Sequence, residues 1–458
     1  MRRAAGRTGL MQMTHCLDWR LLAVGARWIV LAAFAVMVSP AAVVFSQATP
    51  SPVSLPTGHS SAATQSLPLA ELIDEALRRS PLVVTARRHL EAERRMTIQQ
   101  ATLPDPQITF QNLAVGNPIP GNNLQTNNFA YFGYGFSQDI PFPGKLRLRA
   151  SVAEKDAESA REAFEAQQRA VVEQVSETYF NLFYLMNSLN LLQLTHDEFQ
   201  RVVHITGAQY QVGMAQQQDV LKAQLEMTSI LNEEQTTREQ LEQSQADLKA
   251  ILGREQDSSN IEIGELKPSV INLNDHQLRQ LALSTSPILK QAEALEAKSE
   301  QSLKLAREDY IPDFSIEYMY QKTGARFPDY YMANVGLKIP LYFWRKQTPA
   351  VEQAALEKQS SHAQTYAARL SVTSQVQNQW IALQTMDRVL RIYSDGLIPQ
   401  AQATLKSAVA TYRVGKVDFQ TLLSAEVDVL RLKQQYYRAL ADHEIAIAKI
   451  QQIIGNVR

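Results

Sequence analysis

Tyr210-Gln211-Val212-Gly213-Met214 and Tyr412-Arg413-Val414-Gly415-Lys416 are one turn written twice. From each turn the chain runs the same distance to a second marker, Leu252-Gly253 in the first case and Ile454-Gly455 in the second. Tyr210 to Gly253 therefore maps onto Tyr412 to Gly455 without a gap. Working backwards, the match continues with small insertions. Ser80-Pro81 pairs with Ser286-Pro287, Leu103-Pro104-Asp105 with Ile311-Pro312-Asp313, and Ile140-Pro141 with Ile339-Pro340. A unit of roughly 190 residues has been duplicated. The length of 458 residues suggests about three domains, but the duplication points to one architecture with two similar halves.

Each half changes its hydrophobic period twice. Leu69, Leu72, Ile73, Ala76 and Leu77 fall at helical spacing, and Ser80-Pro81 ends that helix. A second helix is predicted from Pro81 to Thr102, stopping before Pro104. The period then becomes two over Gln107–Leu113 and Phe129–Ile140, with Phe132, Tyr134 and Phe136 on one face and Phe129, Tyr131, Gly133 and Gly135 on the other. The turn-rich run from Gly116 to Asn123 joins these strands. In the second half, Phe314–Lys322 and Tyr330–Ile339 are the matching strands, with Gly324 and Pro328 between them.

A long helical stretch follows each strand pair. No proline occurs between Pro143 and Pro268, and Val172, Val175, Tyr179, Leu182, Met186 and Leu189 alternate steps of three and four as a coiled-coil seam does. From Gly144 to Gly213, and again from Lys346 to Gly415, lie about 70 residues, or about 100 Å of helix. The return to Gly253 or Gly455 is about 60 Å on the same rule. Pro349 suits a first helical turn. Pro399 has no counterpart in the first half and is expected to kink its helix. Gly213 and Gly415 suit tight turns because glycine reaches positive φ without penalty.

Residues 1–48 read as an export signal. Arg2, Arg3, Arg7, Arg20 and Arg27 supply positive charge, Trp28–Val38 is an apolar run too short to span a bilayer, and Ser46-Gln47-Ala48 offers small residues for cleavage. Translation is open to starting at Met11 or Met13. The only cysteine, Cys16, lies within this leader, so the mature chain is expected to have no disulfide, thiolate metal site or lipoprotein anchor. Removing the leader shifts the formal charge from −1 to −5, which gives no surface for nucleic acid. Residues 49–66, rich in Ser, Thr, Pro and Ala, are expected to form a flexible tail, 67–253 the first repeat, 254–272 a linker and 273–458 the second repeat.

No later segment has enough consecutive apolar residues for a membrane helix, so any membrane entry must be by strands. The predicted strands have the length and aromatic content of membrane-spanning ones. Four strands cannot close a barrel, and an open edge in lipid leaves backbone groups unsatisfied at several kcal/mol each. Several chains must therefore share one barrel. Two would supply eight strands and three would supply twelve, of which only the larger leaves room for an open lumen.

The duplicated order of helix, hairpin, long helix, Val-Gly turn and returning helix resembles the TolC-like outer-membrane efflux channels. The resemblance covers residues 67–456, and its most specific parts are the two turns and Ile140-Pro141-Phe142-Pro143-Gly144-Lys145-Leu146-Arg147-Leu148-Arg149. The last segment looks most like the heavy-metal and cation (CzcC-like) branch. The resemblance implies a mainly α fold with a β part: a homotrimer with a 12-stranded barrel in outer-membrane lipid and a 12-helix periplasmic tunnel. It also implies an adaptor protein docked at the tips, on Tyr210, Gln211, Val212, Gly213, Met214, Tyr412, Arg413, Val414, Gly415 and Lys416. Through the adaptor the channel would join an inner-membrane pump, of the resistance-nodulation-division type in that branch. Some relatives place gating carboxylates just past the second turn. Here the aligned positions are Thr421 and Ser424, with Asp418, Glu426 and Asp428 as nearby alternatives.

No catalytic signature accompanies this pattern. Walker A, HExxH and GxSxG motifs are missing, and His196 and His204 are spaced by eight rather than the four that suits a helical metal pair. No enzyme activity, cofactor or metal is expected. A channel for type I secretion and a soluble periplasmic coiled-coil adaptor or scaffold stand as alternatives.

Overall fold

The computed structural model describes residues 67–114, 119, 124, 130–324, 327–414 and 416–455. The leader, the tail, Phe129, most of the Gly116–Asn123 loop and Gly415 lie outside the described residues. The first half runs α1 (Leu69–Arg79), α2 (Pro81–Ala101), β1 (Gln107–Leu113), β2 (Tyr131–Ile140), α3 (Pro143–Gln211) and α4 (Gln217–Leu252). The second half repeats this order with α5 (Asp275–Thr285), α6 (Pro287–Glu308), β3 (Asp313–Thr323), β4 (Tyr330–Lys338), α7 (Gln347–Arg391), α8 (Ile398–Arg413) and α9 (Phe419–Ile454). No described helix is long and apolar enough to cross a membrane.

The helix breaks follow from proline chemistry. Ser80 and Ser286 are extended, with ψ of 126° and 119°, because the proline ring after each one excludes the helical conformation. Pro81 and Pro287 then open the next helix, where a missing N–H costs nothing. Pro399 acts differently. It sits inside a helix that would otherwise match α3, and the turns just before it, Ile392–Leu397, widen into a π-helix. The expected disturbance thus appears as a π segment, which takes up the clash and the lost hydrogen bond.

The duplication reappears in the core. Leu72 and Ala76 are buried, as are their counterparts Leu278 and Ala282; Leu248 and Leu252 match buried Ile450 and Ile454. One apolar cluster joins α1, α2, α3, α4 and α9, and a second joins α5, α7 and α9. Of the predicted seam, Val175, Tyr179 and Leu182 are buried, while Val172, Met186 and Leu189 are only half-buried. Val171, Phe180, Phe183 and Leu185 are buried as well. A single seam understates α3, because that helix packs against α2, α4, α6 and α9 and so is covered on several sides.

The chain between α4 and α5 is not helical, yet it is tied to the helices along its length. Gln245 exchanges hydrogen bonds with the backbone of Ile261, and Lys249 Nζ donates to the carbonyls of Gln256 and Ser258 and to Asn260 Oδ1. Further on, Ser269 donates from both N and Oγ to the Glu444 carboxylate. Glu444 also meets Nδ1 of the buried His443 at 2.9 Å, and Asp387 meets Nε2 at 3.1 Å. Burial pushes the His443 pKa down, but the hydrogen bond and charge of Glu444, and then Asp387, hold it above its usual value.

Candidate functional site

The four strands form one antiparallel sheet in the order β1-β2-β3-β4. Residues directly opposite in such a sheet share a face, so the register sorts the side chains. Phe110, Tyr134, Tyr320 and Tyr331 form one row across the sheet, and Ile108, Phe136, Tyr318 and Ala333 form the next on that side. The rings of Tyr134 and Tyr331 each lie 5.2 Å from that of Tyr320. The opposite face carries Gln107, Ser137, Glu317 and Asn334 in one row, and Thr109 and Gly135 with Met319 and Met332 in another. One side is thus predominantly apolar and largely exposed, interrupted by Asn112, Gln138 and Lys322, and the other is mostly polar. Gly133 makes the pairing possible, since a Cβ there would lie 2.6 Å from the carbonyl oxygen of Tyr320. The outer edges of β1 and β4 have no partner strand among the described residues.

The sheet is fixed to the helices by Lys145, which is 3% exposed. Its Nζ donates to the Ile311 carbonyl at 2.7 Å and to Asp313 Oδ1 at 2.8 Å, with Asp309 at 3.8 Å. The Phe142 N–H also donates to Asp313 Oδ1, at 3.0 Å. The start of α3, in the first repeat, is thereby clamped to the start of β3, in the second. Sequence reasoning noticed the Pro-Gly-Lys motif but not its partners, which lie 166 and 168 residues away.

At the far end of α3, Gly213 takes φ of +75°. Its N–H donates to the Tyr210 carbonyl, and that of Met214 to Gln209, so the turn caps its own helix. Gln216 and Asp219 then form a reciprocal cap that starts α4. The second turn repeats the pattern: Lys416 N–H donates to the Thr411 carbonyl, and Asp418 caps α9 by accepting from Thr421 N–H. Gln211, Val212, Gly213, Met214, Arg413, Val414 and Lys416 are all exposed, Met214 at 81%. The two tyrosines diverge. Tyr210 is exposed, whereas Tyr412 is half-buried, stacks edge-on against Phe419 at 5.9 Å and donates from its hydroxyl to Gln209 Oε1 at 3.2 Å. Gln209 and Phe419 were not singled out from the sequence, because only packing makes them partners of the turn.

The gate candidates also separate. Asp418 is occupied as a helix cap, and its hydrogen bonds from Thr421 hold its pKa below the usual carboxylate value. Thr421 and Ser424 are exposed, with their hydroxyls bonded to Asp418 and to the Thr421 carbonyl respectively. Asp428 is exposed. Glu426 is half-buried between α9 and α3, where burial and then a hydrogen bond with the Glu198 carboxyl raise its pKa to about 7. A carboxyl with a raised folded pKa binds its proton more tightly than in the unfolded chain, so the contribution of Glu426 to stability is complete below about pH 4.5 and declines as pH rises towards 7. Glu426→Gln should remove that decline and raise stability at pH 8 by about 1 kcal/mol after allowance for partial exposure. Thermal dissociation of wild type and variant at pH 5 and pH 8 tests this, and identical pH dependence in the two would refute it. Among the described residues no group of His, Cys, Asp and Glu has the arrangement of a metal site.

A family model described as "outer membrane efflux protein" matches residues 72–254 and 278–456. The outer membrane protein TolC of Vibrio cholerae is 22% identical over 420 residues, covering 88% of this chain and 94% of the relative. Among solved structures, that of CusC, whose crystal structures concern transmembrane channel formation, is similar with a TM-score of 0.75 at 17% identity, covering 85% of this chain and 92% of the other. The CmeC outer membrane channel of Campylobacter jejuni matches with a TM-score of 0.73 at 14% identity, covering 84% and 85% respectively.

Proposed function

We propose, from the premise that this chain belongs to the outer membrane efflux protein family, that three copies close a 12-stranded barrel and that the chain is the passive conduit of a tripartite efflux system. The observation that carries this reading is the two-faced sheet with two open edges. An apolar face suits lipid and a polar face suits a water-filled lumen. Open edges are not tolerated in a bilayer, so β1 of one copy must pair with β4 of the next. Long helices leave the same end of the sheet and extend about 100 Å, enough to form a periplasmic tunnel. The protein resides in the outer membrane, and in this reading energy comes from its partners.

The tips offer exposed Tyr210, Val212, Met214 and Val414 beside Gln211, Arg413 and Lys416. With Gly213, Gly415 and the half-buried Tyr412, these residues are the proposed dock for a periplasmic adaptor, which connects to an inner-membrane pump of the resistance-nodulation-division type. Tyr412 has a second part in this reading: its bond to Gln209 links the two helix pairs of one copy at the tip. The Lys145 motif is accounted for by the clamp, so the choice of metal cations or drugs as cargo is assigned to the pump.

A cysteine pair tests the closed barrel. The mature chain has no thiol of its own. Within one copy, β1 and β4 are separated by β2 and β3, about 14 Å at the usual strand spacing, beyond the roughly 7 Å that a disulfide spans. Thr109→Cys combined with a cysteine at Met332, Asn334 or Gly336 should give dimer and trimer ladders on oxidation in at least one pairing. Monomer throughout would remove the shared barrel. Crosslinking in cells followed by detergent extraction then identifies the partners. An ABC exporter in place of a resistance-nodulation-division pump would assign the channel to type I secretion, and release without detergent would favour a soluble scaffold.

A further inference from the structure

We propose that Leu341–Lys346 forms a foot on each copy that holds anionic phospholipid headgroups in the leaflet facing the helices. The proposal rests on the membrane orientation just given. The two repeats differ sharply at this point. Counted on from the Ile-Pro pair after each hairpin, the first repeat has Lys145, buried in its clamp, and the second has Trp344, 57% exposed. Leu341, Tyr342 and Phe343 are exposed beside it.

These rings continue the apolar sheet face. Tyr331, Val335 and Leu337 lie on the face that meets lipid, and the exposed Ile339 and Leu341 follow directly, where a Leu341 N–H bond to the Ile339 carbonyl turns the chain out of β4. The segment is built rather than loose. Arg345 and Lys346 N–H groups both donate to the Tyr342 carbonyl, Thr348 N–H donates to that of Phe343, and the Tyr310 hydroxyl meets Thr348 Oγ1 at 2.8 Å. The Phe343 and Trp344 rings pack edge-to-face at 5.2 Å, and Tyr342 lies 6.1 Å from Trp344.

Next in the chain come two cations. Arg345 and Lys346 are exposed and have no ion-pair partner among the described residues. Aromatic rings with one apolar and one polar edge settle at the membrane–water boundary, and adjacent cations attract anionic headgroups. Rings continuous with the lipid face, followed at once by unpaired positive charge, match the order met on leaving the acyl region: glycerol, then phosphate. The occupant is therefore an anionic phospholipid.

The tryptophans make this testable. Trp19 and Trp28 lie in the leader, so the exported chain retains only Trp344 and Trp380. In the Trp380→Phe protein, reconstituted into vesicles, Trp344 emission should be quenched several-fold more by headgroup-labelled phosphatidylglycerol than by equally labelled phosphatidylcholine. Arg345→Gln with Lys346→Gln should abolish that preference while leaving the residual quenching. Equal quenching by both lipids in the unaltered foot would reduce it to an aromatic belt and overturn the proposal. Absence of quenching by either would mean that a neighbouring copy covers it, which also overturns it. A control carries Phe136→Trp with both native tryptophans replaced by Phe. Its quenching by chain-brominated lipid reports insertion of the sheet, so failure there refutes the membrane reading and not the foot alone.

Discussion

Replacing Lys145 by methionine should lower the stability of the assembled channel by about 2–3 kcal/mol per chain, with the loss concentrated at the junction of sheet and helices. Breaking a fully buried ion pair by removing one partner costs about 3–5 kcal/mol, because a charge is left without compensation. Lys145 is almost wholly buried, but the Asp313 side chain is 31% exposed, so water recovers part of the loss. Methionine keeps the aliphatic volume, so the change removes charge and hydrogen bonds rather than packing. Adding Asp313→Asn should restore part of the stability, because the orphaned carboxylate is gone while Phe142 N–H keeps an acceptor. The readout is the temperature at which the detergent-resistant oligomer dissociates. An unchanged temperature in Lys145→Met would show that the clamp adds nothing to assembly.

Gly213→Pro should abolish export while the oligomer still forms. Proline fixes φ near −65°, and the turn requires +75°. The substitution also deletes the N–H that bonds to the Tyr210 carbonyl. The strain is confined to a tip about 100 Å of helix away from the sheet, so barrel closure is unaffected. Recovery of adaptor in crosslinked pull-downs should fall at least ten-fold, with an unchanged dissociation temperature. Gly415→Pro should behave alike. Normal adaptor recovery in both variants would remove the docking assignment. The Lys145 and Gly213 variants thus separate the two ends of the molecule: one weakens assembly, the other coupling.

The amino-acid sequence alone determined what is local or repeated. Helix breaks at Ser80-Pro81 and Ser286-Pro287, the strand alternation at Phe132, Tyr134 and Phe136, and the glycine turn at Gly213 follow from φ restrictions and from side-chain periods of two and 3.6. These act within a few residues, so they can be read directly. Duplication then turned local patterns into an architecture, because matching Leu248 to Ile450 and Leu252 to Ile454 gives both helices one buried face.

Only the tertiary structure decided which equivalent residues do different things. Tyr210 and Tyr412 occupy the same place in the repeat, yet one is exposed and the other is held by Gln209 and Phe419. Lys145 is a clamp because Ile311 and Asp313 arrive beside it, while Trp344, the same distance past the second Ile-Pro pair, has no such partners and is exposed. Glu426 has a raised pKa because packing buries it and α3 then brings Glu198 to it. Each difference depends on contacts between residues far apart in the chain. A sequence repeat records what each segment can form by itself, whereas burial and charge at a given position are set by neighbours that the two halves do not share.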